Sequence, residues 1–160
     1  MRILYTQEEI HKLKQEAECS TRKRAHLNLH HNYNDKIQKL LIALTKNTYI
    51  PPHCHKLEHQ TEHFQILEGE VVLVIFDRNG DIKDYTVLSP NGITAVEIEP
   101  NVFHTVICMS DSAILMEIKL GPYEPTSSKF IPIWSPLESE DEKTNLEYLK
   151  LLRGYLTNLY

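Results

Sequence analysis

The spacing of apolar and polar positions changes rhythm along the chain. Ile10, Leu13 and Ala17 recur at helical intervals, and Thr6 stands three residues before Glu9 in a capping-box pattern, so a short helix is expected from near residue 7. In "TRKRAHLNLHHNYN" the period is two, which places Arg22, Arg24, His26, Asn28 and His30 on one polar face of an extended arm. Asp35 then reads as the cap of a second helix, "KIQKLLIALT", with Ile37, Leu40, Leu41 and Leu44 on its buried face.

From residue 48 the pattern is that of strands and turns. "FQILEG" and "VVLVIF" meet at Gly69, "DRNGD" is a hairpin turn, and "YTVL" runs into the "SPNG" turn. "TAVEIEPNVFHTVIC" and "SAILMEIKL" supply further strands. This succession predicts a mainly β fold, a small barrel or double-sheet roll, rather than a parallel α/β sheet. Val71, Leu73 and Ile75 alternate with Val72, Val74 and Phe76, giving that strand two packing faces. After Leu120 come prolines and aromatics, with Trp134 expected as a packing anchor. A leucine stripe follows at Leu146, Leu149, Leu152, Leu156 and Leu159, with Tyr148 and Tyr155 beside it, and predicts a C-terminal helix that packs on the domain or on another copy.

Residues 1–160 are therefore expected to form one domain: N-terminal helices and a polar arm over 1–44, a β-roll core over 45–120, and a proline-rich tail with a C-terminal helix over 121–160. The net charge of −5 argues against a broad nucleic-acid surface. The charged N-terminus lacks the apolar run of a secretion signal, and no segment is apolar for long enough to span a membrane, so a cytoplasmic protein is expected. Cys19, Cys54 and Cys108 form no close-spaced pair and are expected as reduced thiols.

Candidate chemistry is concentrated in "HCHKLEHQTEHFQILEG". On a strand, His53 and His55 project to one face while Cys54 projects to the other. Glu62 opens the next strand, and His104, after Pro100, can bring a fourth donor from across a barrel. Such donors suit zinc, iron, manganese or nickel better than a copper–thiolate site. His59 and His63 stand open as alternatives to Glu62.

This segment resembles the first conserved motif of the cupins, with His53, His55 and Glu62 in its three metal-binding roles and Gly69 at its closing turn. "PNVFH" resembles the second motif and puts His104 in the fourth role. Six residues separate His55 from Glu62, a longer interval than usual, and Asn101 and Val102 stand where a glycine turn is common. "RKRAHLNLH", "DKIQKLLIAL", "TYIPPHCH", "FDRNGD", "VEIEPNVFHTV" and "MEIKLGPYEP" extend the resemblance to WbuC-like cupin-fold metalloproteins over roughly residues 22 to 136. The resemblance implies a cupin-type double-stranded β-roll holding one divalent transition metal. It also implies a tie to bacterial surface polysaccharides, without a defined reaction.

Around such a metal, Arg22 and Arg24 could clamp a carboxylate or phosphate, with Asn28 and His30 adding hydrogen bonds. Glu117 and Lys119 share a strand face and could pair, and Tyr123 is a further donor. No catalytic residue is assigned. The leading expectation is a metal-binding cupin acting on a small ligand that is polar, anionic or sugar-derived. The alternatives are a metal-free sugar-nucleotide epimerase or ketoisomerase, with His53 or His55 as base and Arg22 or Arg24 on phosphate, and a noncatalytic metal or carbohydrate sensor. A homodimer is expected from the extra surfaces at the two ends.

Overall fold

The computed structural model describes residues 1–124, 129–138 and 142–158. The chain runs α1 (Gln7–Cys19), β1 (Arg24–Asn28), β2 (Ile37–Thr45), β3 (Glu62–Glu68), β4 (Val71–Phe76), β5 (Ile82–Leu88), β6 (Ala95–Ile98), β7 (Phe103–Cys108), β8 (Ser112–Leu120) and α2 (Glu142–Thr157). The strands form two antiparallel sheets, one in the order β1-β2-β8-β3-β6 and one in the order β5-β4-β7. This is the mainly β, double-sheet roll expected from the sequence, and of the cupin jelly-roll type, with a helix at each end.

The alternation along β4 explains how the layers stack. Val71, Leu73 and Ile75 face the first sheet and join Ile42, Leu44, Phe64, Val106 and Leu115 in the core between the sheets. Val72, Val74 and Phe76 face the other way, onto Leu149, Leu152 and Leu156 of α2. The C-terminal leucine stripe is thus buried within the chain at those three positions, whereas Tyr155 is exposed; Leu159 lies outside the described residues. Trp134 packs on Phe76 and Phe103 and donates its indole N–H to the Arg78 carbonyl at 3.1 Å, the anchoring role expected of it. On the far side of the first sheet, Ile10, Leu13 and Ala17 of α1 pack against Leu41, Ala43 and Ile114. The Thr6–Glu9 capping box closes α1 as expected.

One expected element is corrected. Residues 37–45 form a strand, not a second helix, and Asp35 does not cap one: its carboxylate accepts the His31 N–H at 2.7 Å in a tight loop. Ile37 is exposed, while Leu41, Ile42, Ala43 and Leu44 are all buried. β2 lies between β1 and β8, with its even positions toward the inter-sheet space and its odd positions under α1, so both faces are apolar. A strand buried on both faces loses the alternation that identifies it and reads as a continuous apolar run. The β-roll therefore begins at β1, well before residue 45, and the polar arm is its edge strand.

Candidate metal centre

His53 and His55 lie on a short extended segment between β2 and β3, and His104 lies on β7. The backbone N–H of His53 donates to the His104 carbonyl at 3.0 Å, and the N–H of His104 donates back at 2.9 Å, forming an isolated antiparallel bridge. Period-two geometry then brings both histidines of the first segment to the inner side. Glu62 comes from the start of β3, beside β8. The ligand atoms of His53, His55, Glu62 and His104 all lie within 4.8 Å of one another, and all four residues are buried. Glu62 occupies the place for which His59 and His63 were alternatives. His59 is exposed, and His63 points to the opposite face of β3, its Nδ1 3.7 Å from a Glu97 carboxylate oxygen.

Backbone contacts set the orientation of two imidazoles. His53 Nδ1 is 2.8 Å from the Pro51 carbonyl oxygen, and His104 Nδ1 is 2.9 Å from that of Val102. Only an N–H belongs against a carbonyl, so Nδ1 carries the proton on each ring and Nε2 turns its lone pair inward, the usual outer support of a metal-binding histidine. Burial, with help from the charge of Lys129, pulls the His53 pKa well below its ordinary value and keeps the ring neutral. The Asn101 turn just before β7 has φ 65°, and its N–H donates to the His55 carbonyl at 2.7 Å. Asparagine tolerates this left-handed backbone better than most residues, so Asn101 does what a glycine would do there.

The donor set fits a cation. His104 Nε2 lies 3.0 Å and His55 Nε2 3.2 Å from the same oxygen of Glu62. With Nδ1 of His104 protonated, a lone pair at Nε2 would face a carboxylate oxygen, a repulsive contact unless a proton or metal cation lies between them. Adjacent ligands about 2.0–2.2 Å from a metal are about 3 Å apart, which is the spacing of these pairs. Burial alone would raise the Glu62 carboxyl, but its close polar contacts with the His104 and His55 imidazoles and the charge of Lys119 outweigh it and hold the group well below the usual carboxylate range.

Beyond the cluster lies a cavity of about 500 Å³, within the range of small-molecule sites. All seven ligand-binding candidates line it: Arg22, Arg24, Asn28, His30, Glu117, Lys119 and Tyr123, together with His53, Glu62 and His104. Lys119 Nζ lies 2.5 Å from Glu117 and 3.6 Å from Glu62, so the expected Glu117–Lys119 pair forms and also touches the histidine cluster. Burial and then repulsion from Glu62 raise the Glu117 carboxyl above its ordinary value. For Lys119, burial is outweighed by Glu117 and Glu62, which keep the ammonium charged. The Tyr123 and Tyr33 rings meet at a tilt with centroids 5.1 Å apart, and Leu40, Ile42, Phe64, Val106 and Leu115 make the apolar wall.

Sequence reasoning missed Lys129 and Glu138, which reach the cavity from the tail. Lys129 keeps much of its surface exposed, yet its ammonium is close enough to the cavity for burial to lower its pKa. Glu138 accepts Arg22 Nε and Nη2, each at 2.8 Å, and lies 2.7–2.8 Å from the terminal nitrogens of Arg24. The carboxylate clamp anticipated at these arginines is therefore filled by the chain's own glutamate. The acidic run after the prolines, set against the basic arm, was the one available signal.

Comparison with known proteins supports the fold. The Staphylococcus aureus capsular polysaccharide assembling protein CapF superposes with a TM-score of 0.59 at 15% identity, over 71% of this chain and 32% of CapF, so the chain spans about a third of that protein. TT1209 from Thermus thermophilus aligns with a TM-score of 0.54 at 19% identity, over 74% of this chain and 97% of its own. A mutant of oxalate decarboxylase OxdC from Bacillus subtilis aligns with a TM-score of 0.51 at 11% identity, over 68% of this chain and 27% of its own. No curated protein sequence matches. The model of the family described as "Domain of unknown function (DUF6016)" matches residues 5–88, more than half of the 160-residue chain, and the protein belongs to that family.

Proposed function

We propose that the protein is a metal-dependent cupin acting on a small polar, sugar-derived substrate. The observation that carries this reading is the convergence of four buried donors, two of them tautomerically fixed with Nε2 inward, on one wall of a cavity of about 500 Å³. His53, His55, Glu62 and His104 hold one divalent transition metal, which when bound supplies Lewis acidity toward a carbonyl or enediol oxygen. Lys119 neutralises the carboxylates beside the ligand set and offers its ammonium to a substrate oxygen. Glu117, with its raised pKa, is the candidate proton acceptor, its carboxylate steered by Lys119 Nζ. The apolar wall limits water around the reacting atoms. The setting we propose is polysaccharide biosynthesis in the cytoplasm, in keeping with the WbuC-like resemblance and with the description of CapF.

Elemental analysis of the purified native protein, joined to anomalous diffraction across transition-metal edges, tests the reading. One metal per chain at these four residues is expected. A metal-free protein that epimerises a sugar nucleotide would overturn it in favour of the metal-free alternative.

A further inference from the structure

We infer that Arg22 and Arg24 form an anion subsite in which Glu138 is a tethered stand-in for the phosphate or carboxylate of the ligand, so that binding proceeds by displacement of that side chain. The inference deepens the proposed function, on which it rests, by naming the ligand class: a small sugar derivative with an acidic group at one end and oxygen donors for the metal at the other.

Two guanidinium groups take both oxygens of one carboxylate, with four contacts of 2.7–2.8 Å. That is the fork geometry by which arginine recognises carboxylate and phosphate alike. The clamp lines the same cavity as His53, Glu62 and His104, so a single ligand spans both.

Arg22, Arg24 and Lys129 all act on His26 at the mouth of the cavity, where Glu138 is the carboxylate that opposes them. His26 is accessible to solvent in the cavity yet enclosed by protein atoms, and burial followed by repulsion from these cations pushes it down to about 4. Around the whole cavity Arg22, Arg24, Lys119 and Lys129 face Glu62, Glu117 and Glu138, four cations against three carboxylates, so positive charge is in excess even with Glu138 in place, and a bound divalent metal would add to it.

Glu138 can leave the clamp without its segment moving. Its backbone carbonyl accepts the Asn145 side-chain N–H at 3.2 Å, and the carbonyl of nearby Pro136 accepts the Tyr49 hydroxyl at 2.7 Å, so the segment is held by its backbone. Swinging the carboxylate out requires no unfolding of that segment. Arg24 meanwhile keeps its 2.7 Å bond to the Tyr49 carbonyl and stays aimed at the vacated place.

The test is calorimetric titration of inorganic phosphate into the full chain, as purified and after chelation, for wild type, Glu138→Gln and Glu138→Gln with Arg22→Gln. A tethered competitor that occupies the clamp about 90% of the time or more weakens an external anion by about tenfold or more. Glu138→Gln should therefore bind phosphate at least about tenfold more tightly in both metal states, and adding Arg22→Gln should remove the gain. Equal affinity, or a gain that survives loss of Arg22, would overturn the inference. Should Glu138→Gln fold poorly, Glu138→Asp retracts the carboxylate while keeping its charge and should show an intermediate gain, its absence counting equally against the subsite. The chelated protein separates the two readings, because a gain there stands whether or not the four-residue cluster holds metal.

Discussion

His53 and His104, far apart in sequence, exchange both of their backbone hydrogen bonds, at 3.0 and 2.9 Å, and their imidazole centroids lie 4.7 Å apart. This bridge links the segment before β3 to β7, so the candidate metal site is built on paired backbone and not on a free loop. Glu62 completes it from the other sheet. Glu62→Gln keeps the side-chain shape but removes the charge that offsets a divalent cation. Loss of an outer partner alone costs a metal site about 10–100-fold in affinity, and loss of this ligand should exceed that. His59→Ala and His63→Ala should leave metal content unchanged. Elemental analysis and metal-dependent melting of the three variants check both expectations.

The Arg22–Arg24–Glu138 clamp has a pH signature. Burial works against ionisation of Glu138, but hydrogen bonds from Arg22 and Arg24 outweigh it and bring the pKa from 4.5 down to about 2. A carboxyl whose folded pKa lies below its unfolded one stabilises the fold fully above the unfolded value, and that contribution fades as pH falls through the folded value. The difference in melting temperature between wild type and Glu138→Gln should therefore be constant near neutrality and shrink between about pH 4.5 and 2. Salt should reduce it as well, since part of the cluster is exposed. A difference that grows on acidification would contradict the assignment.

How much could be read in advance follows from which faces each strand shows. β1 and β4 were legible because alternation survives where one face is polar, or where two apolar faces occur in a run too short for a helix. His53 and His55 were legible for the same reason, since period two needs no knowledge of the fold. β2 was hidden because Leu40, Ile42 and Leu44 face the inter-sheet space while Leu41 and Ala43 face α1, and hydrophobicity alone cannot separate those two environments. Glu138 was hidden for another reason: it comes from a proline-rich tail without periodicity, and its partners precede it by more than a hundred residues. The six-residue interval before Glu62 became interpretable only once the alternation of β3 turned His63 toward Glu97.

Gly69, at the turn between β3 and β4, has φ +76°, and a Cβ there would collide with the Ser112 carbonyl oxygen and crowd Cα of Ala113. Both obstacles are backbone of the neighbouring strand and cannot rotate away. Gly69→Ala should destabilise the fold by about 2–5 kcal/mol, combining left-handed backbone strain with overpacking. Chemical denaturation measures the loss. Because the turn lies outside the cavity, one metal per folded chain should be retained.

Lys119 joins the two carboxylates that the cavity buries. Its side chain is 7% exposed, and its ammonium stands between Glu117 at 2.5 Å and Glu62 at 3.6 Å. Removing one partner of a buried ion pair leaves the other charge uncompensated, a loss of about 3–5 kcal/mol in comparable settings. Lys119→Met, which keeps an unbranched side chain but drops the ammonium, should destabilise the metal-free protein by that order, and Glu117→Gln in the same chain should recover part of the loss by removing one orphaned carboxylate. A bound divalent cation beside Glu62 compensates the same negative charge, so metal should stabilise Lys119→Met more than it stabilises wild type. Denaturation curves for the single and double variants, with and without added metal, resolve each contribution. Equal stabilisation of both proteins by metal would mean that Lys119 does not share the electrostatic work of the metal site.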